Sequence, residues 1–264
     1  MEPRSISFDR AADFYDATRG HSPQVSAQIA AAARRWLQAG EPVLEIGIGT
    51  GRIARPLMDL GVPITGLDLS VNMMQRLRQA LPAGVRPPDL VQGDANYIPF
   101  PAHTFHAVIA VHVFHRIPTW QTVISEARRV LRSGGLLLAG YDWRPPDSPV
   151  SLLRRKWREI YQELGEPGHT NAGREFDQLI SRLKAMGAAA EEVIAAEWSM
   201  ESTPEEYIRL LENRVYSSTW DIPADLHAQI IARLRRWAAV ELGPLDQPFS
   251  LPRRFIWQAF RWEH

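Results

Sequence analysis

Residues 43–51 read VLEIGIGTG, a short apolar run that leads into glycines at three alternate positions. An apolar run that ends in glycines is typical of a buried strand followed by a tight turn. Glycine permits backbone conformations that other residues disfavour, and it lets backbone N–H groups come close to a ligand. The stretch therefore predicts a strand, a glycine turn and a helix, with a polar ligand bound at the turn.

The same alternation of strands and helices continues through the next ninety residues. The predicted strands are 42–46, 64–69, 89–94, 105–114 and 136–141, and the predicted helices are 22–40, 52–60, 71–81 and 120–131. Pro56 falls inside the second of these helices, which we therefore expect to be short or bent. Strands separated by helices predict a parallel sheet with right-handed crossovers.

Beyond residue 145 the pattern changes to long charged helices. The predicted helices are 151–164, 174–186, 204–216 and 224–241, and strand-like pieces lie at 192–198 and 255–262. We expect residues 1–145 to form a ligand-binding core with an N-terminal cap segment. Residues 146–264 should supply a helical cover together with the last two strands of the same sheet.

Charge and composition exclude several classes of partner. The chain has 264 residues with 30 basic and 30 acidic side chains, so a net charge of zero offers no attraction to nucleic acid or to an anionic membrane. There is no cysteine, and the histidine pairs at 103/106 and 112/115 do not share one face, so we expect no metal site. No apolar stretch approaches the ~18 residues of a spanning helix, and no secretory signal is evident. We expect a soluble, cytoplasmic protein.

The spacing of the glycines differs from that of a dinucleotide site. A dinucleotide fingerprint reads G-x-G-x-x-G and holds a pyrophosphate at a helix N-terminus. Here Arg52 stands where the third glycine would be, and Glu45 precedes the turn. A carboxylate at that position would repel a pyrophosphate and would suit a cationic or ammonium-bearing ligand.

These residues resemble motif I of the class I S-adenosylmethionine-dependent methyltransferases, and three further segments match in the same order. They are GLDLS at 66–70, GDA at 93–95 and EARRVLRSGG at 126–135. The likeness is greatest to the type 11, small-molecule branch. It implies a Rossmann-like, doubly wound α/β fold with a seven-stranded, mostly parallel sheet and helices on both faces. It also implies S-adenosylmethionine as cofactor and S-adenosylhomocysteine as product.

The resemblance assigns cofactor contacts to particular residues. Asp68 would bind the ribose hydroxyls, although it could also cap the next helix; Asp94 with Ala95 would meet the adenine amino group. Tyr15 and Arg19 would fold over the methionine end, with surface packing as the alternative. The full set of expected cofactor residues is Tyr15, Arg19, Glu45, Gly47, Gly49, Gly51, Arg52, Asp68, Leu69, Met73, Gly93, Asp94, Ala95 and Val111.

Methyl transfer is an in-line displacement that needs alignment and, for a protonated acceptor, a base. His112 and His115 lie at the end of the fourth strand and Tyr141 at the end of the fifth, so these three are the candidate catalytic residues, with packing or helix capping as the alternative. Six aromatic side chains could line an acceptor pocket, although most aromatics at helical spacing belong to a core. They are Trp143, Trp157, Tyr161, Tyr207, Tyr216 and Trp220.

The favoured function is methyl transfer to a small-molecule acceptor. The alternatives are methylation of a macromolecule, a catalytically idle S-adenosylmethionine-binding or regulatory module, and a nicotinamide-dependent dehydrogenase, which the glycine spacing disfavours. The sequence determines neither the acceptor nor the oligomeric state.

Overall fold

The computed structural model describes residues 7–114, 117–164 and 172–262, with side chains in all of these except 172–178. The helices are α1 (Tyr15–Arg19), α2 (Pro23–Ala33), α3 (Ala54–Asp59), α4 (Val71–Ala80), α5 (Trp120–Val130), α6 (Pro149–Glu163), α7 (Ala172–Ala185), α8 (Pro204–Glu212) and α9 (Ala224–Glu241). The strands are β1 (Val43–Ile46), β2 (Ile64–Asp68), β3 (Asp89–Gln92), β4 (Phe105–Val111), β5 (Leu131–Trp143), β6 (Ala188–Ser202) and β7 (Phe249–Trp262). Short 3-10 turns lie at Asp9–Ala11 and Ser217–Thr219.

The strands form one sheet of seven in the order β3-β2-β1-β4-β5-β7-β6. β1 pairs in parallel with both β2 and β4, and the β2–β3 and β4–β5 pairs are also parallel. The predicted seven-stranded, mostly parallel, Rossmann-like sheet is therefore confirmed. The order reverses between β1 and β4, and in doubly wound sheets ligands bind at such a switch point, beyond the carboxyl ends of the strands. The glycine turn that follows β1 lies there.

The chain divides into two compact units. The first comprises residues 1–141, 172–196 and 255–264, and the second comprises residues 142–171 and 197–254. The first unit buries the sheet against its helices, with fully buried Leu44, Val108 and Ile124 in one apolar cluster. Burial of such side chains is the main force that stabilises a domain of this kind.

The second unit has its own apolar core, built by α6, α8 and α9. Trp157 and Tyr161 stack there with ring centroids 5.6 Å apart, and Tyr207 is also buried in this core. These three aromatics, considered above as possible lining of an acceptor pocket, thus pack in the interior of the second unit. Among the described helices none combines the length and the apolar character needed to cross a bilayer.

Local signals explain where several helices begin and end. Ser22 caps α2 as predicted, because its hydroxyl accepts from the backbone N–H of Val25 at 3.3 Å, but the helix stops at Ala33 and not at Gly40. α3 has only six residues, which agrees with the short helix expected from Pro56. α8 ends at Glu212, before the predicted residue 216.

β5 is longer than predicted and begins at Leu131 instead of residue 136. Gly134 has φ +72°, and the pairing with β4 changes register between Phe105 and Ala107. A Cβ at Gly135 would lie 2.8 Å from the carbonyl oxygen of His106. The two glycines therefore form an irregularity inside the strand, and the predicted start of this strand at residue 136 was too late.

Candidate active site

The glycine turn after β1 takes a backbone conformation that only glycine adopts easily. Gly47, Gly49 and Gly51 have φ values of +69°, +55° and +76°. A Cβ on Gly47 would lie 2.6 Å from Cγ2 of Val113, and one on Gly51 would lie 2.7 Å from Cδ1 of Leu77. Glycine is required at these two positions both by the positive φ and by the neighbouring side chains. The sequence analysis explained the glycines by contact with a ligand alone, which is therefore only part of the reason.

Asp68, at the end of β2, holds the glycine turn in place. Its Oδ2 accepts from the backbone N–H of Gly49 and its Oδ1 from that of Ser70, both at 2.8 Å. Burial raises the pKa of Asp68, while these backbone hydrogen bonds oppose the rise. Each oxygen of an ionised carboxylate has a second lone pair, so Asp68 retains capacity to accept hydroxyl groups of a ligand.

Ser70, and not Asp68, is the cap of α4. The Ser70 hydroxyl accepts from the backbone N–H of Met73 at 3.1 Å, which is the usual bond of an N-cap side chain. The interpretation of Asp68 as the helix cap was therefore wrong. Asp68 instead orients the capping residue, because it accepts from the backbone N–H of Ser70.

Glu45 is the most deeply buried acid of the site. Its side chain is 2% exposed, and its Oε2 has no hydrogen-bond partner among the described residues. Burial raises the pKa of Glu45 well above its ordinary value of 4.5; Arg52 opposes this rise and Asp68 adds to it. A buried carboxylate oxygen without a donor is costly. The ammonium and sulfonium groups of S-adenosylmethionine fit this position, since either cation would offset the buried negative charge.

Carboxylates of the N-terminal segment, residues 7–21, fasten it to the glycine turn and to α4. The hydroxyl of Thr50 donates to Asp16 at 2.5 Å, and Arg55 lies 3.6 Å from the same carboxylate. The hydroxyl of Ser70 donates to Asp9 at 2.5 Å, and this bond lowers the pKa of Asp9. Asp13 pairs with Arg76 of α4. The segment is therefore held against both the glycine turn and α4.

Tyr15, Arg19 and Arg52 lie together at this cap. Nη1 of Arg52 donates to the backbone carbonyl of Arg19 at 2.9 Å and lies 3.3 Å from Nε2 of His21. The guanidinium of Arg19 lies 5.1 Å from the ring centroid of Tyr15, within the range of a cation–π contact. Arg52 thus connects the cap segment with the environment of Glu45.

The segment after β3 brings the third acid towards the same edge of the sheet. The backbone N–H of Gly93 donates to the carbonyl of Asp68 at 3.0 Å. Oδ1 of Asp94 accepts from both the backbone and the side-chain nitrogen of Asn96 at 2.9 Å, which fixes the carboxylate at a turn. Ala95 is buried in the core of the first unit.

Apolar side chains of the expected cofactor set lie beside the turn. Met73 is buried, and its Cε lies 3.3 Å from the position that a Cβ on Gly49 would occupy. Leu69 is half-buried, and Val111 is buried at the end of β4.

Of the candidate catalytic residues, His112 lies directly after β4 with φ +57°. A non-glycine residue with such a φ is uncommon, and strained backbone clusters at functional sites. The contact of the next residue, Val113, with Gly47 places this segment beside the glycine turn. Tyr141 lies within β5, two residues before its end, and not after the strand. His115 lies outside the described residues.

Sequence reasoning missed the residues that join separate segments. Asp9, Asp16 and Ser70 act through contacts between residues 34 to 61 positions apart, for which no local pattern exists. Val113 could have been suspected only from its place two residues after the end of β4. In the described part of the chain, no group of three or more His, Asp or Glu side chains is arranged to hold a metal ion.

Comparison with known proteins gives an independent view of these segments. Residues 44–139 match a family described as "Methyltransferase domain". A phosphatidylethanolamine N-methyltransferase of Cereibacter sphaeroides is 33% identical over 128 residues, which span 48% of this chain and 63% of that relative, less than two thirds of its length. An uncharacterized methyltransferase of Mycobacterium tuberculosis is 29% identical over 238 residues, covering 89% of this chain and 86% of that one.

Solved structures share the fold. The YcgJ protein of Bacillus subtilis matches with a TM-score of 0.59 at 23% identity, over 90% of this chain and 99% of that chain. An S-adenosylmethionine-dependent methyltransferase from Thiobacillus denitrificans, in complex with S-adenosylhomocysteine, matches with a TM-score of 0.53 at 17% identity, over 98% of this chain and all of that chain. Residues 44–139 thus form a methyltransferase domain, and the chain has the fold of the class I S-adenosylmethionine-dependent methyltransferases.

Proposed function

We propose that this protein transfers the methyl group of S-adenosylmethionine to a small-molecule acceptor by in-line displacement. The observation that carries the proposal is the buried Oε2 of Glu45, next to the glycine turn, which has no hydrogen-bond partner among the described residues. Such an oxygen suits a cationic ligand and not a pyrophosphate. A net charge of zero favours a small molecule over a nucleic acid as the acceptor.

Three acids would hold the cofactor at separate points. Glu45 would face the cationic amino-acid portion, Asp68 would accept from the ribose hydroxyls, and Asp94 with the backbone of Ala95 would meet the adenine edge. The two hydrogen bonds that Asp68 already accepts fix its orientation, so little side-chain freedom would be lost on binding. When bound, the cofactor supplies a methyl group on a positively charged sulfur.

The chain's own contribution to the reaction is alignment and the exclusion of water. Bringing an acceptor and the methyl donor into line can lower the barrier by roughly 7–11 kcal/mol without covalent catalysis. The cap segment, which Asp9 and Asp16 fasten over the turn, is suited to shield the donor from water. No nucleophilic side chain is needed for this chemistry.

A hydroxyl or ammonium acceptor would also require a base. His112 is suited to this task because imidazole titrates near neutral pH and because it lies at the carboxyl end of β4. His115 and Tyr141 are the other candidates. The proton would pass from the acceptor to a ring nitrogen of the histidine and from there to solvent.

The proposal is tested by incubating the full chain with S-adenosylmethionine and a panel of small hydroxyl, amine and carbon acceptors, and by measuring S-adenosylhomocysteine. Turnover with at least one acceptor, lost or shifted in pH when His112 and His115 are both changed to Gln, would support it. An unchanged pH profile in that double variant would remove the histidines as bases. Tight cofactor binding without turnover on any acceptor would favour an idle binding module.

A further inference from the structure

The loop after β3, residues 93–100, is attached to α5 at two places, and one of them involves the acid expected to meet the adenine. At that place, Oδ1 of Asp94 accepts from both the backbone N–H and the side-chain Nδ2 of Asn96, each at 2.9 Å. The side-chain carbonyl oxygen of Asn96 in turn accepts from the hydroxyl of Thr119 at 2.7 Å. The three side chains form a hydrogen-bond relay from Asp94 to the start of α5.

The chemistry of the three side chains determines the direction of each bond in this relay. An ionised carboxylate only accepts, so the amide nitrogen of Asn96 must face Asp94. The amide oxygen is then left to face Thr119, whose hydroxyl can donate. The amide of Asn96 is therefore held at both ends, and it can turn only if one of the two bonds breaks.

Thr119 uses its hydroxyl for this relay and not for its own helix. Thr119 is the N-cap residue of α5, a position at which a threonine side chain usually accepts from a backbone N–H of the first turn. Within the described part of the chain its side chain makes no such capping bond. Its hydroxyl donates instead to Asn96, 23 positions earlier in the sequence. The start of the helix thus serves the loop.

The second attachment fixes the far end of the loop. Arg129 of α5 donates to the backbone carbonyls of Ile98 and Phe100, both at 2.8 Å. Glu126, which pairs with Arg129 at 2.7 Å, accepts from the backbone N–H of Ile98 at 2.9 Å. Neither contact involves Asn96. The loop should therefore keep its path when the side chain of Asn96 is changed.

Loss of the Asn96 side chain should thus alter the orientation of Asp94 more than it alters the fold. The backbone N–H of Asn96 would still donate to Oδ1 of Asp94, because that bond belongs to the main chain. With a single bond to a single oxygen, however, the carboxylate can rotate about it. The side-chain amide supplies the second bond, and hydrogen bonds to a charged group are stronger than those between neutral groups.

We propose that Asn96 is a positioning residue for recognition of the adenine amino group, supported by Thr119, so that α5 takes part in selecting the base of the cofactor. The inference rests on the proposed contact between Asp94 and the adenine edge. Adenine presents an amino group, which donates, at the place where hypoxanthine presents a carbonyl oxygen, which accepts. A carboxylate that is held in place binds the first and repels the second, whereas one that can turn away discriminates less.

The test compares S-adenosylhomocysteine with S-inosylhomocysteine, in which a carbonyl oxygen replaces the amino group. Each compound is titrated calorimetrically into the full chain, and the ratio of the two dissociation constants measures the selectivity for adenine. We expect the wild type to bind S-adenosylhomocysteine about tenfold or more tightly than the inosyl compound. Asn96→Ala should reduce this ratio about fivefold or more, mainly through weaker binding of S-adenosylhomocysteine.

Thr119→Val removes only the hydroxyl at the far end of the relay and keeps the shape of the side chain. Thr119 is exposed, so water competes for its bond to Asn96, and we expect the ratio to fall by only about two- to threefold. In an Asn96→Ala background the same change should have no further effect, because its partner is missing. Thr122→Val, an exposed change in the first turn of α5, is the matched control and should leave the ratio unchanged.

The outcomes separate this inference from the proposed function. Reduced selectivity in Asn96→Ala, with thermal unfolding close to that of the wild type, supports the inference. Selectivity that persists in Asn96→Ala, or that falls equally in Thr122→Val, overturns the inference alone. If Asn96→Ala does not fold, Thr119→Val decides in the same way, and an unchanged ratio overturns the inference.

Two results for the wild type bear on the proposed function as well. Equal binding of the two compounds overturns the inference together with the role proposed for Asp94. No binding of S-adenosylhomocysteine by the folded wild type contradicts the proposed function itself, and the inference with it.

Discussion

Replacing Glu45 with Gln should affect stability and cofactor binding in opposite directions. The carboxylate is buried, its Oε2 has no hydrogen-bond partner in the part of the chain that the structure describes, and burial raises its pKa well above 4.5. Without cofactor, the ionised form therefore destabilises the fold, and Gln removes the ionisation while it keeps the side-chain volume. With cofactor, the same charge is expected to offset a cation, and Gln loses that interaction.

The sign and size of the stability effect follow from proton linkage. Well below pH 4.5, Glu45 is protonated in both the folded and the unfolded chain, so its ionisation contributes nothing to their difference. As the pH increases from there to the raised pKa of the folded state, the wild type loses about 1.4 kcal/mol of unfolding free energy for each pH unit. Glu45→Gln avoids this loss, so its stability relative to the wild type increases towards neutral pH.

The effect on binding has the opposite sign. A hydrogen bond to a charged group contributes about 1.5–3 kcal/mol, so the variant should bind S-adenosylhomocysteine about 10- to 150-fold more weakly. Chemical denaturation between pH 4.5 and 8 and calorimetric titration measure the two effects. Glu201→Gln, an exposed change, is the control for loss of charge and should alter neither. A Glu45→Gln protein whose relative stability falls with rising pH, or which binds the product as tightly as the wild type does, would refute the reasoning.

Three further substitutions test other parts of the site. Gly47→Ala should lower the free energy of unfolding by at least about 1–2 kcal/mol because of the positive φ alone. The added Cβ would also lie 2.6 Å from Val113, which increases the loss. Val113→Ala should restore part of the lost stability in a double-mutant cycle measured by denaturation. In Asp68→Asn, the side-chain NH₂ would face one of the two backbone N–H groups, of Gly49 and Ser70, that the carboxylate accepts from. We expect about 1–3 kcal/mol of destabilisation. Binding of S-adenosylhomocysteine, measured by calorimetry, should be lost. His112→Gly should change the free energy of unfolding by less than about 1 kcal/mol, because the relief of backbone strain opposes the entropic cost of ordering a glycine. Steady-state turnover should fall about 100-fold or more. Unchanged turnover would exclude His112 as a base.

The sheet and the glycine turn could be predicted from sequence because their signals are local. β1 is a short apolar run that leads into glycines, and the observed bounds of β1 to β4 differ from the predicted ones by no more than three residues at either end. Motif order then identified the acids at the carboxyl ends of the strands. The short α3 followed from a single proline.

Features that depend on distant contacts could not be predicted. β5 was predicted to begin only at residue 136, after the glycines, whereas its pairing with β4 starts at Leu131 and makes Gly134 part of the strand. The predicted α8 was too long, since its early end depends on Arg214, whose side chain donates to the backbone carbonyls of Thr219 and Ile222.

The central claim is that the turn at residues 47–51, with Glu45, Asp68 and Asp94, binds a nucleoside joined to a cationic amino acid. Isothermal titration of the full chain with S-adenosylhomocysteine and, in a parallel experiment, with NAD tests it most directly. The account predicts saturable binding of S-adenosylhomocysteine at one site per chain and no binding of NAD. Saturable binding of NAD, or no binding of S-adenosylhomocysteine by the folded protein, would contradict it.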